Sequence, residues 1–409
     1  MNQIAIIGGG AAGLTAAYFA LISGAEVVLF EKNSQPGRKI CITGKGRCNI
    51  TNQTGARTFL SNVVQGSKFL TSAVFRFSPE DTMEWFSALG LKMKTERGNR
   101  VFPKSERASE VRDVLVKSLK SFPGFLMRIE EVHEISKLDN TFQIISSSGT
   151  YQFRAVIIAT GGKSYPLTGS TGDGYKFARK LGHSIISPQA SLVRLLCNDP
   201  CCQQAQGLAL KNVRLSLFKV GDSKPLFSDQ GEMLFTEDGI SGPLVLSASC
   251  HMRDAACNYR LEIDFKPALT SEELDKRILR DFTDINNKYF KNSLDELLPS
   301  AMRAVFVKRA NIDPEKRVHQ ITKAERENLV QLFKKFELSN VLKAPLEEAI
   351  VTAGGVDLLQ VNPRSMESKI CPNLYFAGEV LDVDAYTGGF NLQIAFSTGR
   401  AAGESAALN

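Results

Sequence analysis

The first thirty residues constrain this chain's fold more than any other segment. Ile4-Ala5-Ile6-Ile7 is an apolar run suited to a buried parallel strand, and it leads straight into Gly8-Gly9-Gly10-Ala11-Ala12-Gly13. An amphipathic stretch then extends to Ser23, and after Gly24 a second apolar run, Val27-Val28-Leu29-Phe30, ends on Glu31. Each glycine of Gly8-x-Gly10-x-x-Gly13 has its own steric task. Gly8 permits the tight turn, Gly10 lets backbone approach a pyrophosphate, and Gly13 lets the helix pack on the strand. A diphosphate would rest on the helix N-terminus at Ala11 and Ala12, where unpaired N–H groups and the helix dipole favour negative charge. Glu31, some twenty residues on, is placed to accept hydrogen bonds from a ribose diol.

The remaining bulk properties set limits. A chain of 409 residues exceeds one typical domain, so two or three cores are expected. Met1-Asn2-Gln3 has no basic n-region, so no secretory leader is expected. Ser23, Gly24 and Glu26 interrupt the apolar stretch from Leu14 to Phe30, which therefore reads as helix and strand rather than a membrane span. The expected location is cytoplasmic, with no membrane partner. The net charge of +7 is spread along the chain, which suits solvated faces and anionic small ligands better than nucleic acid. The eight cysteines form no CxxC pair, and no histidine stands at ligand spacing from a cysteine pair, so no metal site is expected. Vicinal Cys201-Cys202 reads as free thiols in a loop rather than a redox pair.

Beyond the first βαβ unit comes a glycine-punctuated basic segment, Pro36-Gly37-Arg38-Lys39 and then Thr43-Gly44-Lys45-Gly46-Arg47-Cys48-Asn49, too polar for core. Residues 79–90 and 105–121 read as helices, and 125–136, 141–147 and 150–158 as a three-stranded meander running into Thr160-Gly161-Gly162. From Ser191 to Phe265 short alternating strands suggest a β-barrel or sandwich insertion. Residues 270–311 look helical throughout, with Thr270 or Ser271 as a cap, and 323–336 form another helix.

Nucleotide-fold signals return at the C-terminus. Leu374-Tyr375-Phe376-Ala377-Gly378-Glu379 is a buried strand ending in a small-residue turn, and Gly388-Gly389-Phe390-Asn391-Leu392-Gln393 leads into a helix rich in small residues. That layout suits a long ligand laid across the sheet, adenosine at the first unit and the far end capped by the last helix. FAD has this length, and the last helix N-terminus would favour the negative charge its flavin gains on reduction.

Together these motifs resemble the BaiN/RdsA (YhiN-type) family of NAD(P)/FAD-dependent oxidoreductases over nearly the whole chain. The resemblance rests on the first glycines, on Gly44-Lys45-Gly46-Arg47-Cys48-Asn49-Ile50-Thr51-Asn52, and on Arg100-Val101-Phe102-Pro103, Ala159-Thr160-Gly161-Gly162 and Gly169 to Gly174. It continues through Phe235 to Pro243, Thr352-Ala353-Gly354-Gly355-Val356 and Gly378-Glu379 to Gln393. Lys45 stands where a glycine is common and Glu237 where a histidine is frequent, so the resemblance carries over no histidine chemistry at that second loop.

The fold this implies is α/β, a Rossmann-like FAD-binding domain interrupted by a β-barrel insertion and a small helical domain. The expected division is residues 1–190 with 345–409 for FAD, 191–268 with 314–344 for the barrel, and 269–313 for the helical insert. By resemblance, FAD would contact Gly8, Gly10 to Gly13, Glu31, Lys32, Arg38, Lys39, Thr43, Gly44, Gly46, Arg47, Cys48 and Asn49. It would also meet Val132 at the adenine side, Ala159, Thr160, Gly161, Gly162, Gly378, Glu379, Asp382, and Gly389 to Leu392 (Phe390, Asn391). From chemistry alone, Arg38, Lys39, Lys45 and Arg47 supply cations for phosphate or flavin oxygens, and Asp382 an acceptor for a ribityl hydroxyl. Arg47 and Asn49 have a plainer alternative as loop-stabilising hydrogen-bonders.

No second glycine-rich nucleotide motif is visible, so NAD(P)H would dock transiently over the flavin. No catalytic acid or base is assigned; Arg100, Tyr165, Ser241 and Tyr386 lie in motif loops expected to face the flavin. Cys48 as a redox thiol lacks a partner, and His133 and His183 read as ordinary surface or loop residues. Three classes remain open: a reductase of a small organic acceptor such as an enone, a steroid-like acid or an aromatic, an oxidase passing electrons from an amine or amino ketone to oxygen, and a flavoprotein serving RNA modification or a protein partner. The resemblance favours the first. Oligomeric state is left open.

Overall fold

The computed structural model describes residues 3–254 and 256–408. Met1 and Asn2, on which the expectation of no leader rests, lie outside them. The chain divides into two compact units, Met1–Ser191 with Pro345–Asn409, and Leu192–Ala344.

The first unit is built on five parallel strands in the order Leu374–Phe376, Ala155–Ile158, Gln3–Ile7, Glu26–Glu31, Phe125–Ile129. Ile4 to Ile7, Val27 to Phe30 and Ala155 to Ile158 are all buried, as strands covered on both faces must be. The chain leaves the central strand Gln3–Ile7 toward Glu26–Glu31 on one side and returns on the other through Ala155–Ile158. That reversal is a topological switch point, and ligands of open α/β sheets bind beyond the strand ends there.

Two helices cover this point. In Ala11–Ile22 and the terminal helix Phe390–Leu408, small residues let the backbones meet. A Cβ at Gly399 would stand 2.5 Å from the Ala12 carbonyl oxygen, and one at Gly403 2.3 Å from that of Ala16. The i, i+4 spacing of both glycines and both alanines makes this one continuous contact seam.

The expected meander is redrawn. Phe125–Ile129 joins the parallel sheet beside Glu26–Glu31, and the meander is Val132–Leu138, Thr141–Ser146 and Gly149–Phe153, with Ala155–Ile158 again in the parallel sheet. The break falls at Glu130, whose buried carboxylate accepts from the Ser146 hydroxyl at 2.5 Å and Arg128 at 3.1 Å and so turns the chain out of the sheet. Arg38–Ile42, expected as loop, forms a short helix.

The second unit holds a closed barrel of Leu195–Leu196, Gly239–Ser241, Phe227–Thr236, Ala209–Lys219, Tyr259–Asp264 and Phe336–Lys343. The helix expected across 270–311 is two, Ser271–Asp284 and Ser300–Arg309, because Asn286, Asn287 and Pro299 interrupt it. Thr270 caps the first in a capping box with Glu273, and Lys323–Lys334 forms as a third. Phe306 stacks on Phe336 at 5.3 Å and meets Phe265 edge-on at 5.1 Å, so the helices share a core with the barrel. Among the described residues no helix is long and apolar enough to cross a membrane.

Candidate functional site

The first turn is built by close backbone approach. Gly8 has φ +103°, and a Cβ there would stand 2.6 Å from the Ala159 carbonyl oxygen and 3.0 Å from the Thr160 Cα. A Cβ at Gly13 would sit 1.9 Å from the Gly8 carbonyl oxygen, and one at Gly378 2.8 Å from the Ala12 Cβ. The turn thus brings Gly8, Ala12, Gly13, Ala159, Thr160 and Gly378 together. Gly10 is different, since a Cβ there would meet nothing within 4 Å. It caps Ala11–Ile22 with no side chain bonded to the helix end. The helix's leading N–H groups have no intrahelical partner, and the space beside Gly10 is open.

At the end of Glu26–Glu31, the buried Glu31 carboxylate accepts from the Gly9 N–H at 2.8 Å, the Asn33 N–H at 2.8 Å and the Asn33 amide at 2.7 Å. Arg38 donates to Asn33 at 2.9 Å, and Lys32 to Thr171 at 2.6 Å and Asp173 at 2.7 Å. Burial raises the Asp173 pKa, but the hydrogen bonds from Lys32 and Thr171 outweigh it and hold the carboxyl below its ordinary range. Val132 and Asp173 line a cavity of about 250 Å³ together with His133, Phe177 and Lys180.

A second network joins three distant segments. Lys39 donates to Ser164 at 2.7 Å and to Glu379 at 2.7 Å, and Ser164 also donates to Glu379 at 3.0 Å. The Thr352 N–H donates to Glu379 at 2.8 Å, while its hydroxyl oxygen accepts from the N–H groups of Lys163 at 2.8 Å and Ser164 at 3.0 Å. A Cβ at Gly162 would stand 2.4 Å from that hydroxyl oxygen, so the Gly161-Gly162 turn is seated on this network. Sequence reasoning did not single out Ser164 or Thr352; the Thr352-Ala353-Gly354-Gly355 motif was the available signal.

The segment 43–49 carries a run of left-handed backbone at Gly44 (φ 57°), Lys45 (59°), Gly46 (83°) and Cys48 (59°). At Lys45 and Cys48 this conformation costs about 1 kcal/mol or more each, and such strain concentrates at ligand clamps. The Thr43 hydroxyl closes the turn onto the Ile40 carbonyl at 2.7 Å. Arg47 turns toward the strand pair Met93–Glu96 and Arg100–Pro103, pairing with Glu96 and Glu106 and lying 4.2 Å over the Phe102 ring. Burial pushes the Cys48 thiol up to about 12, so it remains protonated at neutral pH and is no redox thiolate. The Asn49 Oδ1 and Arg47 Nε atoms are buried without a hydrogen-bond partner.

At the far end, Asp382 accepts from the Gly354 N–H and Gln65, each at 3.0 Å. Asn391 donates to the Ala385 carbonyl at 2.8 Å and accepts from its N–H at 3.0 Å, which fixes the entry to the terminal helix. A Cβ at Gly389 would stand 2.4 Å from the Thr51 carbonyl carbon, Phe390 packs on Phe59 at 5.4 Å, and Leu392 is partly buried against the core. The 51–52 and 388–392 segments are thus side by side. Tyr165 has φ 52° and Tyr386 donates its N–H to Asn62 at 3.0 Å. Arg100 bonds the Arg97 carbonyl at 3.0 Å. Ser241 belongs to the barrel unit. His133 is exposed, but His183 is a buried loop residue bonded to Ser368 at 2.8 Å. Cys201 and Cys202 are free, but both are buried on the short helix Pro200–Gln204 rather than in a loop.

An uncapped helix end facing open space at Gly10, a second glycine-led helix end at Phe390 and an orphaned acceptor at Asn49 fit a long, phosphate-bearing cofactor with N–H or O–H donors. FAD meets all three conditions.

The sequence profile of the family described as "HI0933-like protein Rossmann domain" matches residues 2–405. The 3-dehydro-bile acid delta(4,6)-reductase of Clostridium scindens is 30% identical over 412 residues, covering 100% of this chain and 99% of its own. The ribosomal RNA dihydrouridine synthase of Escherichia coli is 30% identical over 400 residues, 96% of this chain and 95% of its own. In architecture the chain is similar to the open conformation of a flavocytochrome c3 fumarate reductase, with TM-score 0.52 and 15% identity over 100% of this chain and 78% of that one. It is likewise similar to 3-ketosteroid-delta4-(5alpha)-dehydrogenase from Rhodococcus jostii RHA1, with TM-score 0.51 and 15% identity over 99% and 97% of the two chains.

Proposed function

The chain belongs to the HI0933-like Rossmann-domain family of FAD-binding oxidoreductases, and from that membership we propose that it reduces a carbon–carbon double bond conjugated to a carbonyl, with NAD(P)H as transient reductant. One observation carries the reading. Two relatives of nearly full coverage are named for unlike molecules, a 3-dehydro-bile acid and a ribosomal RNA uridine. Both names nevertheless describe adding hydrogen to a ring double bond next to a carbonyl.

When bound, the flavin supplies hydride-transfer chemistry. The residues of this chain do the rest. The N–H groups of Ala11 to Gly13 take the diphosphate, with Gly8 and Gly10 admitting it. Glu31 accepts from the adenosine ribose, Lys32 and Arg38 flank it, and Val132 closes the adenine side. Lys39 and Glu379 would fix the Gly161-Gly162 turn beside the cofactor, and Asp382 would offer an acceptor to a ribityl hydroxyl. The 43–49 loop and Gly389 to Leu392 would hold the ring end, and Asn49 would supply its free acceptor there. Cys48, protonated and buried, fills space there.

Anaerobic mixing of the FAD-loaded chain with NADPH and NADH separately, followed by a 3-oxo-4-ene acid or a uridine-containing RNA, tests this directly. Bleaching by at least one nucleotide, then return of flavin colour with a saturated product, is expected. Failure of both nucleotides to bleach the flavin would remove the reductant, and bleaching without a saturated product would remove the substrate class.

A further inference from the structure

We propose that the exposed basic hairpin 92–107 is a docking surface for the phosphodiester backbone of an RNA strand. The inference rests on the double-bond reading and narrows it to a uracil ring presented by that strand.

The segment carries six cations, Lys92, Lys94, Arg97, Arg100, Lys104 and Arg107, against two carboxylates, Glu96 and Glu106. The structure shows where those carboxylates go. Glu96 is held by Arg47 and by Lys94 at 3.1 Å, and Glu106 by Lys94 and by Arg47 at 3.4 Å. The Arg47 hydrogen bond holds the Glu96 carboxyl below its ordinary range, and the Lys94 hydrogen bond does the same for Glu106, so both stay ionised. Their negative charge is spent on Arg47 and Lys94. Among the described residues, Lys92, Arg97, Arg100, Lys104 and Arg107 have no carboxylate within ion-pair distance, and all five are exposed. A charge that looked scattered along the sequence therefore leaves five unneutralised cations on and beside this one hairpin.

The hairpin is also fixed in place. The Asn52 amide donates to the Gly98 carbonyl at 3.0 Å and to the Gly388 carbonyl at 3.1 Å, and the Gln53 N–H donates to Asn99 at 2.7 Å. At its base the Lys104 N–H donates to Lys92 at 2.7 Å. The hairpin tip is thus clamped beside the Gly388-Gly389 turn, the ring end of the proposed cofactor site. Lys92 and Lys104 stand at the base and Arg97 and Arg100 at the tip, so four-residue strands separate the two groups by about 13 Å, and Arg107 follows at the cap of the helix Ala108–Lys120. A small organic acid presents one carboxylate and needs one cation, whereas five exposed cations spread from base to tip match the repeated charge of a nucleic acid strand.

The test is fluorescence anisotropy of a labelled, uridine-rich RNA oligonucleotide with the FAD-loaded chain across a salt series. Arg97→Gln, Lys104→Gln and Arg107→Gln combined should weaken binding by about tenfold or more and lower the slope of log K against log salt by about 2, near 0.7 per lost contact. Arg97→Lys with Arg107→Lys keeps the charge and should bind as the parent does, which separates charge from folding. The proposal is overturned if the parent does not bind RNA, or if the triple variant keeps its affinity and slope. It is equally overturned if the triple variant only raises KM for a small enone acid or for the nicotinamide nucleotide. The anisotropy and salt-slope readouts need no turnover. A parent chain that binds RNA but holds no flavin would undo the cofactor reading and leave this surface standing.

Discussion

Lys39 Nζ lies 2.7 Å from Glu379 Oε2, joining side chains 340 positions apart. The pair ties the basic turn after the second strand to the Ala-Gly-Glu turn after the last, with Ser164 bonded to both. Both side chains are roughly four-fifths shielded, so solvent screens the pair only in part.

Glu379→Gln should therefore do two things. It leaves Lys39 without its counter-charge and weakens the acceptor that seats Thr352, at a stability cost of about 1–3 kcal/mol. It also loosens the Gly161-Gly162 turn, so retained flavin should fall. Urea unfolding together with the flavin-to-protein absorbance ratio reads both. Unchanged stability with full flavin would show that the network is incidental.

The helix seam gives a sharper stability prediction. Gly403→Ala places a methyl 2.3 Å from the Ala16 carbonyl oxygen, which is backbone and cannot turn aside. The helices must separate, and overpacking of this kind costs about 1–3 kcal/mol even though alanine is the better helix former. Thermal unfolding of Gly403→Ala should show a lowered Tm, and an unchanged Tm would show that the seam can open without cost.

Features whose physics is local were the legible ones. Gly8, Gly10 and Gly13 state a steric requirement within six positions, and the buried runs Ile4 to Ile7 and Ala155 to Ile158 announce parallel strands by having no polar alternation. The capping box of Thr270 and Glu273 is local in the same sense. What stayed hidden depends on partners far away in sequence. Nothing near Lys39 points to Glu379, and nothing near Thr352 points to the N–H groups of Lys163 and Ser164. The strand break at Glu130 was invisible because Ser146, whose hydroxyl donates to that carboxylate, lies sixteen residues on. Arg47 was legible as a cation but not as a partner of Glu96, because the hairpin register that brings them together is a tertiary fact.

Cys48 yields a pH prediction. Its folded pKa of about 12 lies above the ordinary 9.0, because burial disfavours the thiolate. Folding thus binds the proton more tightly than the unfolded chain does. The associated stability is fully present below pH 9 and is lost as pH rises from 9 toward 12. Cys48→Ser, which keeps a neutral hydroxyl there, should flatten the fall in unfolding free energy over that window. In the native parent, iodoacetamide should leave Cys48 unlabelled at neutral pH and modify it only after denaturation. Rapid native labelling would contradict the burial that sets the shift.

Asn49 separates the two roles left open for it. Its Oδ1 is buried with no donor, an arrangement that costs the ligand-free chain free energy and is relieved only when something supplies an N–H or O–H. Asn49→Leu removes that unsatisfied atom, so the apoprotein should keep its stability or gain up to about 1 kcal/mol. The same change deprives a bound cofactor of an acceptor and should weaken FAD binding by about 1–3 kcal/mol, roughly tenfold to a hundredfold. Paired measurements of apoprotein Tm and FAD affinity by fluorescence quenching therefore move in opposite directions if the acceptor faces the cofactor. A residue whose task is to hold the loop together would show the reverse, a lowered apoprotein Tm with FAD affinity little changed.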